Sequence, residues 1–207
     1  MGEQLRRRGV GCWSYCLMPN HVHLILVPKD AEGLALAVGE AHRRYTAFVG
    51  ARAKWTGHLF QGRFASAMDE DHLLAALRCV ALNPVEARLV SRAQDWPWSS
   101  TRALIGGESD ARVDVGPALG RVGDFADFLA AAGGADEPLW ERLLASAVVG
   151  RPVGAEAWVK TLEAQLGLRR TPQKRGPKPR PATVEAPSAD LFAARRQSCN
   201  CNYAMSP

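Results

Sequence analysis

Two histidines two residues apart, His21 and His23, stand in a run of branched apolar residues, Val22, Leu24, Ile25, Leu26 and Val27. Such a run reads as a β-strand, whose period of two puts both imidazoles on one face. Two imidazoles on one rigid face can hold one divalent cation, and a cation there can polarise a phosphodiester oxygen. Two ligands are too few, so a third donor has to come from another element. Asn83 ends a segment of helical periodicity, and Cys79, four positions earlier, falls on the same helix face. A nucleophile at 79 and a ligand at 83 would point at one site. Each residue type also has an ordinary use. Histidines are often satisfied structurally, cysteine in an apolar helix is a small buried hydrophobe, and asparagine before proline is a cap or turn residue.

The elements that would position these groups follow from the pattern. Residues 13–18 read as one strand, Pro19-Asn20 interrupts it, residues 21–27 resume as a second, and Pro28 closes it. Leu34, Leu36, Val38, Ala41, Tyr45 and Phe48 recur near helical spacing and predict a helix over 32–50 with an apolar face. Residues 54–62 are turn-rich, and 63–68 read as a further strand. Asp69, Glu70 and Asp71 favour a helix start, and the helix they open runs through Leu73, Leu77 and Val80. Asn83-Pro84 is expected to break it, with a short further helix over 85–90. Residues 95–100 read as a loop. Helical patches are expected over 125–131, 139–147 and 156–168, separated by glycine-rich joints.

Composition narrows the function class. In 207 residues, 26 Lys and Arg against 21 Asp and Glu give a formal charge of +5, which permits a nucleic-acid partner but does not establish one. An apolar share of 47% excludes wholesale disorder, and no apolar run is long enough to span a bilayer. Met1 to Arg8 lacks the pattern of a secretory signal. Five cysteines, at 12, 16, 79, 199 and 201, are irregularly spaced and suggest neither a disulfide framework nor a paired zinc motif. A reducing, cytoplasmic location is expected, with no membrane association. From Arg169 the composition shifts to basic residues and proline, which predicts an extended tail.

The run from Tyr15 to Leu26, with Pro19-Asn20-His21-Val22-His23 at its centre, closely resembles the histidine strand of the IS200-like (HUH-type) transposases. It is most similar to the subgroup associated with repetitive extragenic palindromes. Arg43-Arg44-Tyr45-Thr46, the segment from Gly57 to Phe64, Leu82-Asn83-Pro84-Val85-Glu86-Ala87 and Trp96-Pro97-Trp98-Ser99-Ser100 follow in that family's order. The resemblance covers roughly residues 10–180. It implies an α/β fold, an antiparallel sheet with helices on one face, ferredoxin-like. It also implies metal-dependent cleavage and strand transfer of single-stranded DNA near hairpins. By this likeness His21, His23 and Asn83 would hold Mg²⁺ or Mn²⁺. A tyrosine on the later helix would attack the phosphate and form a 5′-phosphotyrosine.

The chain departs from the family pattern at two places. Residue 79, the nucleophile position, is Cys where the family has Tyr, and a shorter thiol is a poor substitute for phenolate at phosphorus. Tyr45 is the alternative nucleophile. Few residues precede Tyr15, so the family's first strand and helix are expected to be missing, leaving a sheet edge exposed or covered by a second copy in a homodimer. The alternative expectation is therefore a hairpin-binding protein that does not cut, or a transposase relic.

The resulting division is a catalytic core over 10–105, a helical extension over 106–168 and a basic tail over 169–207. For DNA contact the candidates near the core are Arg43, Arg44, Arg52, Lys54, His58 and Arg63 on phosphates, with Trp96 and Trp98 on unpaired bases. For the tryptophans, core packing is the competing role. In the tail the candidates are Arg169, Arg170, Lys174, Arg175, Lys178 and Arg180, along a backbone or in a minor groove, against a solvated linker.

Overall fold

A short apolar hairpin is the scaffold on which the helices collect. The computed structural model describes residues 1–30, 32–60, 68–131, 137–149 and 151–167. Strand β1 (Val10–Leu17) pairs antiparallel with β2 (Val22–Pro28), from Val10 opposite Pro28 to Leu17 opposite Val22. A bulge between Cys12 and Ser14 shifts the register. Pro19-Asn20 does more than interrupt a strand. The Met18 N–H donates to the His21 carbonyl at 2.9 Å, closing a turn around a proline whose φ is already set for it. Strand β2 starts at Val22, so only His23 of the two histidines lies within a strand, with His21 at the end of the turn.

The segment expected to be a loop over 95–100 is partly a sheet edge. A 3-10 turn spans Ala93–Asp95, and Ser99 then forms an antiparallel bridge with Cys16. Leu17 N–H donates to the Trp98 carbonyl at 2.8 Å, and Ser100 N–H to the Tyr15 carbonyl at 2.9 Å. The Ser100 hydroxyl accepts from Tyr15 N–H at 2.9 Å. The edge of β1 away from β2 is thus satisfied within the chain. The backbone groups there find partners because a buried edge cannot leave them unpaired. No strand among the described residues pairs with the outer edge of β2.

Helix α1 (Gly2–Arg7), which the sequence did not suggest, packs on β1 and buries Leu5. Helix α2 (Gly33–Ala53) and helix α3 (Glu70–Glu86) both contact the two strands. The expected apolar face of α2 is only half used. Ala37, Val38 and Ala41 are buried, whereas Leu36, Tyr45 and Phe48 are exposed. No residue of α2 after Ala41 is buried, because its second half runs on past the core.

The expected break at Asn83-Pro84 does not occur. Helix α3 continues to Glu86 with Pro84 inside it and fully buried, and there is no separate helix over 85–90. Pro84 has no N–H for the Val80 carbonyl, so one helical bond is forfeited, and burial of its ring in the core offsets part of that cost. Ala87 N–H reaches the Asn83 carbonyl and Leu89 N–H the Pro84 carbonyl, both at 2.9 Å, and Arg88 turns the chain with φ 57°. The acidic start is as expected, with Asp69 accepting from His72 N–H at 3.2 Å as an N-cap.

Beyond residue 100 come α4 (Thr101–Gly106), α5 (Gly116–Val122), α6 (Phe125–Ala130), α7 (Glu137–Val149) and α8 (Glu156–Leu166). The last three match the expected helical patches. The described residues fall in one compact unit. Its core joins Val10, Cys12, Tyr15 and Cys16 of β1 to Leu73, Leu77 and Val80 of α3, and to Leu104, Val113, Val115 and Phe125. Residues from 10–105 and from 106–168 therefore share a single cluster. The fold is mixed α/β, a small two-stranded antiparallel sheet with several helices. Of the strand expected over 63–68 only Met68 is described, and it bridges Val153 in parallel. Among the described residues no helix is long and apolar enough to cross a membrane.

Candidate metal and nucleic-acid site

The Met18–His21 turn places His21 beside the first residues of β2. The Asn20 side-chain oxygen lies 2.6 Å from His21 Nδ1, and when Nδ1 carries the proton it donates to that oxygen and Nε2 is the acceptor nitrogen of the ring. His21 Nε2 lies 3.0 Å from His23 Nε2, with the rings edge to face at 87°. The side chain of Asn83, from the last turn of α3, hydrogen-bonds His23. The three residues named from the resemblance as ligands are therefore neighbours, although sixty residues of sequence separate His23 from Asn83 (83 − 23).

The electrostatics favour a neutral His23. Burial, then the neighbouring His21, push His23 down from 6.5 to about 4, and the Asn83 hydrogen bond only partly opposes them. At neutral pH the His23 lone pair is thus not blocked by a second proton. The spacing also suits a cation. Two donors at about 2.1 Å in adjacent octahedral positions stand about 3.0 Å apart, as the two Nε2 atoms do. Two imidazoles and an amide oxygen form an uncharged donor set. No group of three or more His, Cys, Asp or Glu side chains gathers around a metal position among the described residues.

Cys79 lies on α3 one turn before Asn83, partly buried, on the face that Asn83 shares. The thiols of β1 are different. Burial pushes Cys12 and Cys16 up to about 11, so both are inert core residues at neutral pH. Tyr45 is exposed on α2, with its ring centroid 6.2 Å from that of Phe60.

The predicted DNA contacts divide into three groups. Arg43 grips both Glu40 carboxylate oxygens at 2.8 Å, and Arg44 Nε donates to one of them at 2.7 Å. Those bonds, from Arg43 and then Arg44, hold Glu40 down at about 2. Both guanidiniums remain largely solvent-facing, and Arg52, Lys54 and His58 are exposed. The tryptophans separate: Trp96 packs against the core and donates its indole N–H to the Leu17 carbonyl at 3.0 Å, whereas Trp98 is 60% exposed. Arg63 and the tail residues Arg169, Arg170, Lys174, Arg175, Lys178 and Arg180 lie outside the described residues.

Sequence reasoning missed two supports of the site. Asn20 orients His21, and its only signal was adjacency. The second is the anchor at the head of α3. There Asp69 Oδ1 lies 2.6 Å from His72 Nδ1, and Oδ2 accepts from Ala155 N–H at 2.7 Å. Burial works against the Asp69 charge, but the bonds from Ala155 and His72 outweigh it and hold the carboxyl below its usual range. The approach tolerates only glycine at 154, where an added Cβ would lie 2.7 Å from both Asp69 Oδ2 and the Trp158 ring. Comparison with protein-family models, with curated proteins and with solved structures finds no match for the chain.

Proposed function

We propose that this chain binds single-stranded DNA at a divalent-metal centre formed by His21, His23 and Asn83, in the manner of the IS200-like transposases. The observation that carries the reading is the meeting of these three side chains, which are dispersed in sequence. The motif order around them supports the same reading. The proposed frame is the family's ferredoxin-like sheet, of which β1, β2 and the Trp98–Ser100 edge would form part.

The ions implied by the resemblance are Mg²⁺ or Mn²⁺, and of these two Mn²⁺ accepts imidazole nitrogen more readily, because Mg²⁺ prefers an all-oxygen shell. When bound, it would supply charge stabilisation to a phosphodiester oxygen. The chain's own part is to present two neutral imidazoles and an amide at fixed spacing. Because that set is uncharged, a divalent ion there keeps its full positive charge and favours completion by phosphate oxygens. The exposed Arg43, Arg44, Arg52 and Lys54 would neutralise further phosphates.

A specific residue favours a second reading, binding without cleavage. Cys79 occupies the nucleophile position, and its side chain is shorter than tyrosine. The test is incubation of the purified protein with a labelled hairpin-bearing single strand and Mn²⁺. A denaturation-resistant adduct lost in Cys79→Ala assigns the thiol, and one lost in Tyr45→Phe assigns that phenol. Metal-dependent binding with no adduct supports the second reading, and a gain of adduct in Cys79→Tyr would show that only the nucleophile is lacking. No DNA binding with or without metal would sink both.

A further inference from the structure

The second half of α2 presents aromatic rings to solvent among several cations, two of which, Arg43 and Arg44, are already held by Glu40. Phe48 is 60% exposed, Tyr45 55% and Trp55 44%. Residues 41–60 include Arg43, Arg44, Arg52 and Lys54 but no Asp or Glu. Arg44, Phe48 and Arg52 stand at i, i+4 and i+8, one row along the helix with steps of about 6 Å. Arg44 also donates to Glu40, so in this row Phe48 offers a face for a base and Arg52 a guanidinium for the adjoining phosphate.

We propose that the exposed rings of Tyr45 and Phe48 on α2, with Trp55 just past its C-terminal end, form a stacking platform for the unpaired bases of a single-stranded nucleic acid. The inference rests on the DNA reading above but places a base-binding surface on a different element from the metal centre. Charge decides against a second copy of the chain. A two-fold axis at Phe48 would set Arg44 of each copy against Arg52 of the other, a like-charge pairing. A membrane surface fits less well, because an interfacial helix segregates its cations from its apolar residues, whereas here they alternate in one row. The occupant must be anionic and offer flat apolar faces, and unpaired nucleotides do both.

The test is fluorescence anisotropy of the full chain with labelled oligo-dT, which forms no hairpin, in EDTA so that metal chemistry plays no part. Phe48→Leu and Trp55→Leu keep apolar bulk on an exposed surface and remove the π face. Each is expected to weaken oligo-dT binding roughly tenfold without changing the salt slope. Arg52→Ala is expected to lower that slope by about 0.7. Duplex of equal length should show no dependence on the rings. Unchanged oligo-dT affinity in both leucine variants overturns the proposal, as does ring-dependent dimerisation or binding to anionic vesicles in place of oligo-dT. If the variants bind normally while the wild type still cuts a hairpin with Mn²⁺, only the platform fails. If ring-dependent binding holds with no metal effect, only the metal-centre reading fails.

Discussion

His21 Nε2 and His23 Nε2 stand 3.0 Å apart, one at the end of a proline-closed turn and the other in the strand that follows. Neither position is adjustable at low cost. The turn is held by the Met18 N–H, and the strand is paired along its length to β1. Asn83 reaches His23 from a helix whose buried face is anchored in the core. The donors are thereby ordered before any ligand arrives, which is the condition for affinity from an uncharged set.

Metal binding should depend on both rings together. Mn²⁺ titrated into the protein and followed by calorimetry should bind the wild type, and neither His21→Ala nor His23→Ala should retain measurable binding. Asn83→Ala should weaken it, and Asn20→Ala should weaken it by up to about 10–100-fold through loss of the bond that orients His21. Saturating metal at one hundred times its dissociation constant should add about 2.7 kcal/mol to stability. Binding that survives both histidine changes would place the ion elsewhere.

Stability should fall on the acid side of neutrality. His23 has a folded-state value of about 4 against an ordinary 6.5. Below pH 6.5 the unfolded chain therefore takes up a proton that the folded chain refuses, and stability declines until pH approaches 4, then levels for this group. Asp69, held low in the fold, adds a further loss at more acid pH in the same direction. Urea midpoints measured across this range should drop for the wild type and drop less for His23→Gln.

The anchor at the head of α3 should be intolerant of change. Gly154→Ala puts a Cβ where Asp69 and Trp158 already stand, and should cost about 1–3 kcal/mol as overpacking. Asp69→Ala removes an N-cap, the His72 bond and the Ala155 bond, and should cost at least about 2 kcal/mol. Thermal melts of the two variants measure this. A neutral Gly154→Ala would mean that the 153–155 segment is not seated against Asp69.

Glu40 should act as a brake on phosphate binding. It occupies Arg43 and Arg44 at once. Glu40→Gln should leave stability near wild type, since surface ion pairs contribute little, and should raise single-strand affinity at low salt, with the gain fading as salt rises. Equal affinity at low salt would show that neither arginine faces the strand.

The hairpin, the α3 N-cap and the helices from 125 onward were legible in sequence because their causes are local. Branched residues flank Pro19-Asn20, Asp69 precedes an apolar period, and the helical patches carry their own spacing. Tyr45 and Phe48 misled because periodicity reports an amphipathic helix without saying where the core ends. Pro84 misled because a single forfeited bond does not end a helix whose proline ring is buried in the core. The 95–100 segment read as a loop because its partners, Tyr15 and Leu17, lie some eighty residues away.

The residue types at 21, 23, 79 and 83, and the periods that put each pair on one face, are properties of the sequence alone. That His23 meets Asn83, that Asn20 turns His21, and that burial strips the proton from His23 were decided by tertiary structure. Those outcomes depend on how α3 docks on the β1–β2 hairpin, and that docking is set by apolar burial summed over the whole core, which no local window contains.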